Sequence, residues 1–377
     1  MKIAIDIRHL AAENQAGVGR YTIEVIKRMV EAAPDDHFFL FAAGTKKTLD
    51  HLPTFNAPNV SVLPLPIPNR FLFLIFFLRL RTIESFFPER PDILWLPNHN
   101  IVHTQLPYIL TVHDLSFDIF PEFFTWKDRL RYRIGRAKQQ TQSAQHLLAV
   151  SESTKRDLQE RWGIDTDHIT VTPLAAGEEY HAKELPSDKS YLAAHDVKKP
   201  YILCLCTREP RKNLEAVVEA YKIWISNLPP TPNPLPPELI IAGGRGWKSK
   251  SLHRLIEQKK CTSLVKILDY IPNKHKPALY RHAKTFLFPS FYEGFGLPAL
   301  EAAACGTPVI ASFNGSLPEV LDAYAIFVDP YNVTDLVAAF EQVHTKKAQT
   351  LRTSTWNKTA TETLNTLRSS PTSDSVM

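Results

Sequence analysis

With 377 residues, the chain has room for two or three domains of ordinary size. Apolar residues make up 44% and charged residues 22%, ordinary values for a globular protein that argue against a disordered chain, and a net charge of +5 (44 basic minus 39 acidic residues) is too small to argue for nucleic acid as a partner. Four cysteines, Cys204, Cys206, Cys261 and Cys305, fit no zinc spacing, and their sparse use points to a reducing, cytoplasmic setting. The chain starts MKIAIDIRHL, with Asp6 inside the apolar run and no signal-peptide layout. IAID (3–6) reads as a first strand. After a loop holding Gly17 and Gly19, the helical spacing of Ile23, Ile26, Met29 and Val30 predicts a helix. HFFLFAA and VSVLPL follow as strands. The run FLFLIFFL (71–78) is far short of the ~20 residues that span a bilayer. DILWLP and YILTVHD are further strands, and HLLAVS closes this half.

Between about 175 and 200 the chain turns polar, with no strong apolar period, and reads as a connection. The pattern then restarts with YILCLC, a helix from Asn213, ELIIAGG, VKILDYI, TFLFPS, TPVIAS and AIFVDP. Strands interleaved with helices predict parallel sheets covered on both faces, in two successive α/β lobes. Ligands of such sheets sit beyond the carboxyl ends of the strands, so a cleft between facing lobes is the expected site. The segment PPTPNPLPPE (229–238) is expected to be a stiff surface loop and the tail SSPTSDSVM to fray. Asp165-Thr166-Asp167 could hold a divalent metal, but between RWGI and the apolar strand HITV it reads as a solvated turn.

The stretch FPSFYEGFGLPALEAAACGTPVIAS (288–312) places Glu293 above the carboxyl end of the strand TFLFPS and Glu301 in the first turn of the next helix. Pro298 suits the first helical position, and Gly306 the position just past the end. On one continuous helix, eight positions separate two side chains by nearly ~80° at ~100° per residue. The turn instead lets both acids point into one pocket. The N–H groups of Gly294, Phe295, Gly296 and Leu297 then face outward at the positive end of the helix, which suits phosphate. Acids beside a phosphate cradle fit a ligand with hydroxyls and phosphate, such as a nucleotide sugar. The alternative is a Glu301 that only favours the helix start and a solvated Glu293.

Three further stretches carry chemistry. In CTREPRKNL (206–214), Arg211 and Lys212 stand at a strand-to-helix turn, where fixed cations can stabilise charge building on a departing diphosphate. Arginine adds a bidentate fork. A basic, solvated helix start is the alternative. In TVHDLSF (111–117), His113 and Asp114 end a buried strand, putting a near-neutral titrating group at the expected cleft, although a lone strand-end histidine is often structural. In QAGVGRYT (15–22), Gly17 and Gly19 permit close backbone approach at a helix N-terminus, or simply a tight turn.

The segment from Glu293 to Glu301, EGFGLPALE, resembles the Glu-x7-Glu signature of retaining GT-B glycosyltransferases, and the chain is similar to their group 1, mannosyltransferase-like branch from GVGRYT to WNKTATETL. The resemblance implies a GT-B fold: two Rossmann-like parallel-sheet lobes facing across a cleft. These are an acceptor-side lobe at 1–176, a nucleotide-sugar lobe at 177–355 and, at 356–377, a helix returning to the first lobe with a frayed tail. It implies that Glu301 binds the ribose hydroxyls, Glu293 the donor sugar and the 294–297 backbone the diphosphate. Arg211 and Lys212 become the diphosphate-binding pair, with Arg208 as a helper. His113 contacts the sugar and Asp114 orients or caps nearby, while Gly17 and Gly19 line the donor. AGGRGW (242–247) and the backbone near Tyr270 and Ile271 would flank the base, and Asn98 and His99 of PNHN would meet the acceptor.

No metal and no other cofactor is implied, and the expected reaction moves a hexose, first of all mannose from GDP-mannose, to a glycan or lipid-linked saccharide in surface polysaccharide or lipopolysaccharide synthesis. Two departures stand out. Cys206 occupies a usual glycine, which could narrow the room beside the donor, and Val320-Leu321-Asp322-Ala323 lacks the glycine expected after Glu319, which is therefore left out of the site. Rival readings are another GT-B activity, an epimerase or a phosphorylase, or a non-catalytic glycan- or membrane-binding relative. No pyridoxal-phosphate lysine identifies a phosphorylase, and Glu293, Glu301, Arg211 and Lys212 speak against a non-catalytic role. FLFLIFFLRLRTIESFF and WKDRLRYRIGRAK could rest peripherally on the anionic inner face of the cell membrane, or form buried helices whose arginines reach outward.

Overall fold

Apolar runs of three to seven residues make the strands of this computed structural model, which describes residues 1–11, 17–197, 200–229, 236–247, 250–259, 261–343, 351 and 354–370. Gln15 and Ala16 of the glycine loop, most of the proline-rich 229–238 segment and the tail from 371 lie outside the described residues. The chain divides into two units: Met1–Phe117 with Trp126–Leu174 and Ser354–Met377, and Asp118–Thr125 with Ala175–Thr353.

The first unit holds a seven-stranded sheet. Its strands are β1 (Lys2–Asp6), β2 (His37–Ala43), β3 (Val60–Leu65), β4 (Ile93–Leu96), β5 (Tyr108–Val112), β6 (His146–Ala149) and β7 (Ile169–Val171), in the order β3-β2-β1-β4-β5-β6-β7. Every pairing is parallel. β1 and β4 are almost wholly buried, as strands covered on both faces must be. The sheet ends on β7, not on HLLAVS, because HITV supplies one more short edge strand. The helix Gly17–Ala32 starts at Gly17, so Gly17 and Gly19 belong to its first turn rather than to a loop. Its buried stripe is Tyr21, Val25, Ile26, Met29 and Val30, and Ile23 is only half-buried. The helix Trp356–Ser369 packs on it: Arg28 donates to Asn357 Oδ1 at 2.9 Å, and Arg368 pairs with Asp36 at 2.8 Å.

The second unit holds six parallel strands: β8 (Tyr201–Leu205), β9 (Glu238–Ala242), β10 (Val265–Leu268), β11 (Thr285–Phe288), β12 (Val309–Ser312) and β13 (Ile326–Val328). Their order is β10-β9-β8-β11-β12-β13. The polar 175–200 stretch is more than a connection. It contains the helix Pro186–Ala194, which buries Tyr191 and Leu192 and docks on Lys276–His282. Asp188 holds it there by bonds of 2.8 Å from both Nε and Nη2 of Arg281, an anchor that hides from any apolar-period search. A boundary at 176 keeps Asp118–Thr125 in the first lobe, whereas its aromatic residues pack with the second unit. The Phe123 ring stacks 5.1 Å from Phe291, and Trp247 Nε1 donates to the Phe123 carbonyl at 2.5 Å.

Candidate functional site

In the second unit the strand order reverses between β8 and β11, and it is there, past the carboxyl ends of the strands, that an open parallel sheet offers a crevice. The loop after β8 carries CTREPRK and the loop after β11 carries SFYEG, so the topology brings the two stretches together. Pro210–Lys212 forms a single 3-10 turn that ends on Asn213 at φ 56°, a left-handed residue whose side chain donates to the Pro289 and Pro330 carbonyls. The Phe291 N–H donates to the Arg211 carbonyl at 2.9 Å and ties the loops edge to edge.

Three predicted residues meet here. Lys212 Nζ lies 2.5 Å from Glu293 Oε1, and Arg211 Nη1 lies 3.0 Å from Glu293 Oε2 while also donating to the Tyr292 carbonyl at 2.7 Å. Burial pushes the Glu293 carboxyl upward, but the charges of Arg211 and Lys212 outweigh that and hold it down at about 2. The Lys212 ammonium also sits 4.9 Å from the centre of the buried Phe288 ring. A fourth residue, Glu209, was missed in the sequence. Its Oε1 accepts from Arg211 Nε at 3.2 Å and Nη2 at 2.9 Å, fixing the far edge of the guanidinium. The only available signal was its position two residues before an arginine already singled out.

The next helix, Leu297–Ala304, is capped by Gly296 at φ +88°, a left-handed backbone that favours glycine, and an added Cβ would press on Leu317 Cδ2 at 2.4 Å. Among the described residues the N–H groups of Phe295, Gly296 and Leu297 donate to no protein carbonyl. Three backbone donors at a helix start form a ready anion cradle. Two details differ from expectation. Pro298 is the second helical residue, and Glu301 the fifth, in the second turn. Glu301 is buried and accepts from the Tyr280 hydroxyl at 3.1 Å; repulsion from this carboxylate adds to burial in raising the phenol well above its ordinary range.

Arg208 does not join Arg211 and Lys212. Its guanidinium is spent on the Leu268 carbonyl and on Asp269, 3.1 and 2.8 Å away at the end of β10. Cys206 is buried, its thiol pushed by burial to about 12, and Gly243 makes room for it: a Cβ there would meet the Cys206 carbonyl at 2.1 Å. All four cysteines are buried and free of disulfides. Asp165 caps the 3-10 turn Thr166–His168 by accepting from Asp167 N–H at 3.1 Å, the turn expected of that triplet.

The first unit has its own reversal between β1 and β4. The loops leaving those strands, with helical residues around them, line a cavity of about 540 Å³ that includes His9, Asn98, His99, Asn100 and Arg131. Asp6 anchors it, accepting from Arg8 Nη2 at 2.6 Å and from Asn100 Nδ2 at 3.1 Å. Burial holds the His9 and His99 imidazoles neutral, with both pKa values lowered to about 4. His113 lies beside β4, bonded through Nε2 to the Pro97 carbonyl at 2.8 Å and packed edge-on against Tyr21, and burial lowers its pKa as well. Asp114 caps the following turn, accepting from Ser116 N–H at 2.9 Å and its hydroxyl at 2.6 Å. His9 and the Asp6–Arg8 pair escaped the sequence reading because MKIAIDIRHL carries no recognisable motif.

Comparisons with known proteins agree with this architecture. Residues 192–360 match the family "Glycosyl transferases group 1", and residues 16–175 match "Glycosyltransferase Family 4". The chain is 32% identical over 362 residues to O-antigen chain mannosyltransferase B of Escherichia coli, covering 92% of this chain and 89% of that one. Two solved structures share the fold: sucrose-phosphate synthase of Thermosynechococcus elongatus, with TM-score 0.71 and 18% identity over 97% of this chain and 94% of that one, and WaaG, a glycosyltransferase involved in lipopolysaccharide biosynthesis, with TM-score 0.67 and 17% identity over 98% and 97%. With motifs, sheet orders and matches to both halves in agreement, the chain belongs to the group 1 glycosyltransferases and has the GT-B fold.

Proposed function

We propose that this glycosyltransferase moves a hexose, mannose from GDP-mannose in the first instance, from a nucleoside-diphosphate sugar to a glycan or lipid-linked saccharide acceptor in surface polysaccharide or lipopolysaccharide synthesis. The single observation that carries the reading is the meeting of Arg211, Lys212 and Glu293 at the β8–β11 reversal, next to a helix with outward N–H groups. The choice of mannose follows from the likeness to the O-antigen mannosyltransferase.

In this scheme the bond between the anomeric carbon and the diphosphate oxygen breaks while Arg211, Lys212 and the 294–297 amides take up the departing charge. The acceptor hydroxyl attacks from the same face, so configuration is retained, and its proton passes to the leaving phosphate oxygen. Glu293 holds the sugar and Glu301 holds the ribose. Fixed cations do the work of a metal, so the scheme uses none and no cofactor. A thermal-shift screen over UDP-, GDP-, ADP- and dTDP-sugars tests it. One donor is expected to stabilise the wild type, and Glu301→Ala is expected to abolish that shift; an unchanged shift removes Glu301 from the donor site.

The reaction is proposed to take place peripherally on the inner face of the cell membrane. No helix among the described residues is long and apolar enough to cross a bilayer. Support for surface contact comes from the helices Asn69–Phe77 and Trp126–Ile134, both of which line the 540 Å³ cavity. Leu80 and Trp126 are 66% and 64% exposed, and the exposed Phe71, Leu74 and Leu78 join them among Arg70, Arg79, Arg81 and Arg133. Flotation is expected with vesicles of phosphatidylcholine and phosphatidylglycerol and not with phosphatidylcholine alone; failure to float with either removes the membrane from the proposal.

A further inference from the structure

The scheme above asks Arg211 and Lys212 to hold phosphate oxygens and Glu293 to hold sugar hydroxyls. In the structure these three side chains hold one another. Glu293 gives one carboxylate oxygen to each cation, at 2.5 and 3.0 Å, with side chains only 8% (Glu293), 9% (Lys212) and 14% (Arg211) exposed. The remaining edge of Arg211 is taken by Glu209. Two positive side chains therefore face two negative ones, and a diphosphate added to this cluster meets no surplus positive charge as long as Glu293 keeps its place.

We infer that Glu293 is an internal stand-in for the diphosphate: it spans the two cations and yields them when an intact nucleotide sugar binds, taking the sugar hydroxyls in exchange. The inference rests on the donor site proposed above. The exchange works only for the intact donor. A nucleoside diphosphate alone would take the cations and leave Glu293 with neither cation nor sugar hydroxyl, a buried carboxylate with only the Ser290 hydroxyl to offset its charge. The residue thereby discriminates donor from spent product. Once the sugar has left, Glu293 returns to Lys212 and Arg211 and displaces the diphosphate, which limits product inhibition. Two local features keep the return path short. The Glu293 carbonyl is pinned by the Ser316 N–H and hydroxyl, both at 3.1 Å, so only the side chain has to swing.

The test is titration calorimetry with GDP and GDP-mannose, followed by the UDP, ADP and dTDP pairs until one donor binds. It is run on the wild type, Glu293→Gln, Glu209→Gln and Lys212→Ala. Glutamine keeps the shape and removes the charge. Glu293→Gln is expected to bind the nucleoside diphosphate at least tenfold tighter than the wild type, with the intact donor changed less than threefold, and the inhibition constant of the diphosphate is expected to fall by the same tenfold factor. Glu209→Gln, which removes a nearby charge that does not exchange, is expected to tighten both ligands alike. Should Glu293→Gln fail to fold, Glu293→Asp, one methylene too short to span both cations, is expected to tighten the diphosphate selectively but by a smaller factor.

Equal or weaker diphosphate binding in the folded Glu293 variant would overturn the inference and leave Glu293 as a brace for the cations. So would tightening of both ligands by one factor, which is a plain charge effect. If Lys212→Ala abolishes binding while Glu293→Gln changes nothing, the donor site stands and only the exchange falls. Failure of every donor pair to bind the wild type overturns both.

Discussion

Lys212→Ala is expected to lower kcat by about 10²–10³-fold, the range seen when one preorganised donor to developing negative charge is removed from a site shielded from water. The side chain is suited to that task. It is buried and backed by the Phe288 ring, and Glu293 holds it at 2.5 Å until the donor displaces that carboxylate. A buried cation backed by a ring pays little reorganisation as charge grows on the departing diphosphate. Removing it also leaves Glu293 to Arg211 alone. Lys212→Arg is expected to restore little, since a planar guanidinium does not fit between a buried ring and a carboxylate placed for a point charge. Steady-state kinetics with the best donor measure this, with circular dichroism to confirm folding. A folded Lys212→Ala enzyme within fivefold of wild-type kcat would exclude Lys212 from leaving-group stabilisation.

Gly315→Ala is expected to damage both stability and activity, although the residue itself touches no proposed ligand. Gly315 has φ +62°, and an added Cβ would lie 2.5 Å from the Glu293 carbonyl oxygen, a backbone atom that cannot rotate aside. The left-handed conformation alone costs a non-glycine residue about 1–2 kcal/mol. The clash adds to this and displaces the backbone that carries Glu293. The midpoint of thermal unfolding is expected to fall by several degrees, and kcat by about tenfold or more, since displacements near 1 Å in a site commonly cost that or more. A variant with unchanged melting and unchanged kcat would show that the loop after β11 tolerates the shift.

Much of the charged cluster at the β8–β11 reversal was legible in the sequence because there the motif and the fold report the same thing. YILCLC and TFLFPS are buried runs too short for helices, each followed by a loop with charged residues and a helix start. A parallel sheet sends such loops to one end. Arg211, Lys212 and Glu293 accordingly meet where the residue types alone suggested they could. Arg208 shows the limit. It has the same chemistry four residues from Lys212, yet its guanidinium is bound to Leu268 and Asp269. Sequence spacing gives no direction to a side chain on an irregular loop.

The sequence by itself determined the alternation of strands and helices, the restart at YILCLC and the identity of the charged residues that leave β8 and β11, because short-range periodicity and chain order suffice for these. The tertiary structure decided what periodicity cannot carry. It set which strands are neighbours, so that β8 meets β11 across more than 80 residues, and it docked Pro186–Ala194 through Asp188 and Arg281. It also placed His9 beside a cavity with Asn98 and His99, and bound Glu293 to both cations at once. The physical reason is the same in each case: a buried charge or polar group must find its partner in space, and that partner comes from whichever distant loop the sheet order brings alongside.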